Sequence, residues 1–137
     1  MTTDSISTSI ALEALLDDLR ATLPAVPLLV DPIDRARYRR DETAYLEADL
    51  PGAVALPSET AEVAAILRLA SKHRVPIVPR GAGSGLSGGS AGIASGVTIV
   101  LTRMDRVLEI ERGNLCVVTQ PGILNAQLKK SVEAEGL

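Results

Sequence analysis

The sequence predicts an α/β fold with α+β character: a small parallel βαβ sheet, flanking helices and a separate hairpin. Three observations predict it. Short apolar runs bounded by turn residues recur at 53–56, 75–78, 97–101 and 115–119. One amphipathic helical stretch joins the first two, so 53–78 reads strand, helix, strand, with parallel strands and a right-handed crossover. A glycine-rich segment then follows the carboxyl end of the second strand, the edge where open α/β sheets bind ligands.

The elements follow in order. Residues 1–9 are polar, rich in Ser and Thr, and expected to fray. From Ile10, the spacing of Leu12, Leu15, Leu16, Leu19 and Leu23 predicts a packing helix, capped by Ser9 and ended by Pro24 and Pro27. In 31–50, Arg35, Arg37, Arg39 and Arg40 alternate with Asp31, Asp34, Asp41 and Glu42. That interleaving predicts a solvated, self-compensating surface rather than an anion site, with Tyr38 and Tyr45 pinning it to the body. Ala53–Leu56 reads as a strand. Ser58 is the expected cap of the next helix, with Glu59 and Glu62 at its positive end and Val63, Ile66, Leu67 and Ala70 as its apolar stripe. Lys72, His73 and Arg74 complement its negative end, which makes His73, the sole histidine, a charge complement rather than a base. Val75–Val78 and Val97–Leu101 read as buried strands. Val107–Ile110 and Leu115–Thr119 form an antiparallel hairpin around Arg112-Gly113-Asn114. After Gln120-Pro121-Gly122, a last helix begins near Ile123 and runs to Gly136.

Composition removes several functions. The 137 residues suffice for one domain with a core, built from Val, Ile, Leu and Ala because Phe and Trp are absent. Tyr38 and Tyr45 alone make no stacking platform for single-stranded nucleic acid. Lys plus Arg is 14 against 17 Asp plus Glu, a net charge of −3, which argues against nucleic acid or an anionic membrane as partner. Cys116 stands alone, so no internal disulfide forms, and it reads as a small buried hydrophobe. One Cys and one His make no structural zinc set, and His73 is the only candidate base for a Ser–His–Asp arrangement. No metal and no catalytic residue is assigned. The start of the chain lacks a positive leader, and no apolar stretch approaches the roughly 18 residues of a membrane span. The expectation is a cytoplasmic chain, free or docked peripherally to a membrane through partner subunits.

The run Pro79–Gly92 holds six of the eleven glycines. Successive backbone N–H groups in such a loop form a nest for anion oxygens, and Arg80 can add a charged fork. A flexible linker is the competing reading. Gly83-Ser84-Gly85-Leu86-Ser87-Gly88 matches G-x-G-x-x-G, but 89–96 has no apolar stripe and too much glycine for the helix that a nicotinamide site requires. A P-loop needs a lysine, and none occurs between Lys72 and Lys129. What remains is a phosphate cradle with no following helix, and Gln120-Pro121-Gly122 at another strand end.

Those residues carry a resemblance. Pro79-Arg80-Gly81-Ala82-Gly83-Ser84-Gly85-Leu86-Ser87-Gly88-Gly89 resembles the pyrophosphate loop of the PCMH-type FAD-binding domain of the vanillyl-alcohol oxidase superfamily, and within it the flavoproteins of the glycolate oxidase and D-lactate dehydrogenase group. Arg39-Arg40-Asp41-Glu42-Thr43 is similar to its N-terminal signature, Ala55–Val63 to its strand-to-helix entry, and Val118-Thr119-Gln120-Pro121-Gly122 to its second flavin-contacting turn. The resemblance covers the chain from about Ile10, and implies a lead-in at 1–50 and the first half of the FAD domain at 51–137.

It also implies roles. Arg80, Gly81, Ala82, Gly83, Ser84, Gly85 and Leu86 would wrap the FAD pyrophosphate, Ser87 and Gly88 would extend that wall, and Pro121 and Gly122 would line the isoalloxazine or ribityl side. Some relatives attach FAD to a histidine in this loop; Ser84 stands in that place, so the implied FAD is noncovalent. The implied reaction is oxidation of a small 2-hydroxy acid, of glycolate or D-lactate type, by hydride transfer to the flavin, in a protein with a second FAD half, a substrate cap and other oxidase subunits as partners. The chain alone is expected to be a truncated piece, without turnover and with weak hold on FAD. The alternatives are a different oxidase or reductase of the superfamily, and a non-catalytic nucleotide-binding or interaction module.

Overall fold

The computed structural model describes residues 3–137, with side chains from Ser9 onward. Four helices and six strands follow in chain order: α1 (Thr3–Thr22), β1 (Leu28–Leu29), α2 (Pro32–Ala36), β2 (Ala53–Ala55), α3 (Thr60–His73), β3 (Ile77–Arg80), β4 (Val97–Val100), β5 (Val107–Glu111), β6 (Cys116–Thr119) and α4 (Asn125–Glu133). One sheet has the order β1-β2-β4-β3, and β5 and β6 form a second, two-stranded sheet. β2 and β3 both run parallel to β4, which lies between them, and β1 is antiparallel to β2. The predicted hairpin is present and antiparallel.

The core lies on one face of the four-stranded sheet. Leu12, Leu15, Leu16 and Leu19 of α1 meet Ile66 and Ala70 of α3, and both rows rest on Ala53, Ala55, Val97 and Ile99. Side chains alternate along a strand, so Val54, Val78, Arg80, Thr98 and Val100 point to the other face. Asp18 ties the two helices together, accepting from Lys72 Nζ at 2.8 Å and His73 Nε2 at 2.7 Å. His73 therefore bonds a carboxylate of the neighbouring helix across the seam.

Several expectations are corrected. α1 starts seven residues before Ile10, so Ser9 lies inside the helix and is not its cap. No Pro or Gly interrupts residues 3–9, and Ser or Thr costs a helix only about 0.5 kcal/mol relative to Ala; Met1 and Thr2 lie outside the described residues. The N-cap of α3 is Glu59 rather than Ser58, and the Glu62 carboxylate accepts from the backbone N–H of both. Leu67 is exposed, because the buried stripe runs through Ile66 and Ala70 with Leu69 beside it. β3 begins at Ile77 instead of Val75. Arg74 turns left-handed at φ 56°, and the Val75 N–H bonds back to Ala70 O, so Val75 belongs to the helix cap. β3 is an edge strand and only partly buried. Cys116 is exposed, since the hairpin packs on the short α4 and leaves its outer face open.

The lead-in between α1 and β2 also differs from its charge pattern. Tyr45 is 81% exposed and pins nothing, whereas Tyr38 is half-buried. Three of its four arginines bind carbonyls rather than neighbouring acids, and Arg37 lies over the Tyr38 ring. Arg35 donates to Pro51 O and Gly52 O at 2.6 and 2.7 Å, Arg39 to Ala48 O at 2.7 Å, and Arg40 to Leu46 O at 3.0 Å.

Candidate functional site

β3 delivers the chain to the site. Its last residue, Arg80, pairs with Val100, and Leu101 N–H closes the ladder on Arg80 O at 2.9 Å. The Arg80 side chain is only 7% exposed. Nη1 donates to Ser90 O at 3.1 Å, and the guanidinium carbon lies 5.9 Å from the Tyr38 ring centroid. Among the described residues no carboxylate pairs with it. A guanidinium cannot shed its proton, so the loop is built over an unneutralised positive charge.

The chain leaves Arg80 and folds back across it. Gly83 sits at φ +82°, and a Cβ there would run into the Arg80 guanidinium. Glycine is required at 83 by the loop itself. Gly81 and Gly89 are different: a Cβ at either meets no protein atom within 4 Å, and at Gly85 the nearest, an Asp41 oxygen, stands at an ordinary 3.6 Å. Protein packing does not demand glycine at these three places. They leave the backbone open on the cleft side.

The segment 39–43 holds the loop from behind. Gly92 N–H donates to Arg39 O at 2.9 Å, Glu42 N–H to Gly85 O at 3.1 Å, and Gly88 N–H to Thr43 Oγ1 at 2.7 Å. Asp41 accepts longer bonds, 3.4 Å each, from Ser90 N–H and Oγ. Hydrogen bonding to Thr43, and secondarily to Ser90, holds the Asp41 carboxyl below its ordinary value. With 88, 90, 91 and 92 engaged, the N–H groups of residues 81–87 make no hydrogen bond among the described residues.

Those seven residues line a cleft of about 380 Å³ with Asp41, Gly89 and Ser90. Leu86 is 72% exposed at its rim. Of the residues expected on the pyrophosphate, Arg80 lies beneath this cleft and Gly88 outside its lining, bonded to Thr43. The second expected patch meets the first. Ala82 lines a neighbouring cleft of about 270 Å³ with Thr102, Asp105, Pro121, Gly122 and Ile123. The Pro121–Gly122 turn is held by Gly122 N–H on Met104 O at 2.7 Å and by buried Gln120, whose Oε1 accepts from Arg106 N–H at 3.0 Å. A Cβ on Gly122 would strike Leu101 O, so the turn closes only with glycine.

Sequence reasoning missed Asp41, Thr43 and Tyr38 as parts of the site. The signal was present in Asp41-Glu42-Thr43, where Thr43 N–H bonds Asp41 Oδ1 at 3.1 Å in a local turn, but acids set among arginines read as surface. Among the described residues, no three His, Cys, Asp or Glu side chains converge as a metal site, and no helix is long and apolar enough to cross a membrane.

Residues 51–137 match the FAD binding domain family. Over 103 residues the chain is 39% identical to the glycolate oxidase subunit GlcD of Bacillus subtilis, covering 75% of this chain and 22% of the relative. It is 32% identical to a D-lactate dehydrogenase of Anaerostipes hadrus over 123 residues, 90% of this chain and 26% of that one. The chain thus spans about a quarter of these relatives. Among solved structures, an alkyldihydroxyacetonephosphate synthase superposes with a TM-score of 0.78 at 26% identity, over 90% of this chain and 25% of that chain.

Proposed function

The chain belongs to the FAD binding domain family, of PCMH type, and on that premise we propose that residues 81–87 cradle the FAD pyrophosphate while Pro121 and Gly122 border its flavin side. One observation carries the reading: among the described residues, seven consecutive N–H groups are left unengaged along an open cleft, above a buried arginine that no carboxylate neutralises. Neutral protein ligands do not call for such an arrangement; a dianion does. Arg80 acts through the loop, its charge lowering the energy of an anion that its side chain need not touch. The glycines at 81, 85 and 89 allow phosphate oxygens to reach the backbone.

FAD, when bound, supplies the two-electron acceptor for oxidising an alcohol carbon. This chain supplies binding and orientation. Its single histidine is tied to Asp18 at the α1–α3 seam, beside Lys72, so no base for the alcohol proton comes from it. Ser84 stands exposed on the cleft, where a hydroxyl can donate to phosphate but cannot form the histidyl link, and FAD is held noncovalently. The whole protein is a flavoprotein oxidoreductase acting on a 2-hydroxy acid of glycolate or D-lactate type; the names of the two relatives support that substrate class. The likeness to a synthase favours a second reading, in which the same half-domain serves another reaction, because nothing in this cleft selects the alcohol.

The test is a visible spectrum of the purified full-length protein, followed by acid precipitation. The expected result is a flavin spectrum whose yellow colour passes to the supernatant. A colourless protein that takes up neither FAD nor FMN contradicts the reading, and colour retained in the pellet contradicts noncovalent attachment.

A further inference from the structure

Three consecutive residues of the lead-in touch three separate points of the glycine loop. Asp41 reaches Ser90, Glu42 N–H reaches Gly85 O, and Thr43 Oγ1 receives Gly88 N–H in the shortest of these contacts, 2.7 Å. Thr43 is 5% exposed and does not line the cleft, so it has no contact to offer a ligand there. It is nonetheless a polar side chain buried 45 residues away in sequence from the amide it binds.

We propose that Asp41-Glu42-Thr43 is a positioning strap that fixes the loop before FAD arrives, and that Thr43 sets FAD affinity without touching FAD; this rests on the pyrophosphate reading above. A loop with this much glycine has many conformations to lose on binding. The strap takes up the Gly85 carbonyl and the N–H groups of Gly88 and Ser90, and leaves the N–H groups of 81–87 for the ligand. Ordering is then completed on folding rather than at the moment of binding, which raises affinity.

Two measurements test it. In the FAD-free protein, the Gly88 amide should exchange with solvent at least about tenfold more slowly than the unengaged amides of Ser87 and Gly89. Equal rates overturn the strap whatever FAD does, and this readout needs no variant to fold. In FAD titrations by flavin fluorescence, Thr43→Val, which keeps the shape and loses the acceptor, should raise Kd about tenfold, and Thr43→Ser should restore it to within about twofold. A purely structural role would lower the melting temperature of T43V and leave its Kd unchanged, which overturns the proposal. A wild-type chain that protects Gly88 but binds no FAD contradicts the pyrophosphate reading and the affinity role together, while the loop anchor itself stands.

Discussion

At the scale of single residues, the glycines of the loop divide by what would oppose a side chain. Gly83 is confined by its positive φ and by the Arg80 guanidinium beneath it, whereas Gly81 and Gly89 face open space. The two kinds should respond differently. Gly83→Ala forces an L-residue into left-handed backbone, at about 1–2 kcal/mol, and displaces Arg80; the melting temperature of the ligand-free protein should fall by roughly 4 °C or more. Gly81→Ala should leave that temperature unchanged within error and weaken FAD binding about tenfold, because the new methyl occupies the ligand's space. Thermal melts with and without FAD check both. If G81A binds FAD as the wild type does, the open glycines are not there for the cofactor.

At the scale of elements, one carboxylate adds a polar tie to the apolar seam between α1 and α3. Hydrogen bonds from Lys72 and then His73 hold Asp18 below the ordinary aspartate value of 3.8. Its folded pKa is depressed, so the bridge stabilises fully above the unfolded value and is lost as pH falls through the folded one. Asp18→Asn should therefore melt lower than the wild type at about pH 6, and the two curves should converge below the lowered pKa; parallel curves down to acid would show the bridge to be without weight. The same helices show what periodicity makes legible. Leu12, Leu15, Leu16 and Leu19 were readable as one stripe because burial imposes the helical repeat. The true start of α1 was not, since Ser and Thr are nearly neutral inside a helix. β3 slid by two residues because the left-handed Arg74 draws Val75 into a helix cap, a backbone event that an apolar run does not reveal. α2 had its signals in Asp31, whose side chain accepts from Ile33 N–H at 2.8 Å, and in Pro32 at the first turn, yet five residues carry no stripe. Within the site, the glycine loop and the Pro121–Gly122 turn were legible because backbone geometry restricts residue type there. The contacts of the strap and of the two arginines before it were not, because Arg39, Arg40 and Thr43 bind main-chain groups, and a sequence shows charges but not the carbonyls and amides they meet.

At the scale of the whole molecule, the sheet divides the labour. Its core face carries α1 and α3 and the apolar contacts that hold the fold, while Arg80 points to the other face and the loop folds over it. Loop residues near 82 and the turn at 121–122, far apart in sequence, come to line one cleft beside the larger one. On the function proposed, the N–H groups of 81–87 receive the pyrophosphate of FAD. Amide chemical shifts of isotope-labelled protein, followed during titration with FAD and separately with ADP, test it most directly. The largest shifts are expected on residues 81–87 with both ligands, and the Gly122 amide should respond to FAD but not to ADP. Shifts concentrated on the hairpin or on α4, with 81–87 unmoved, would contradict it.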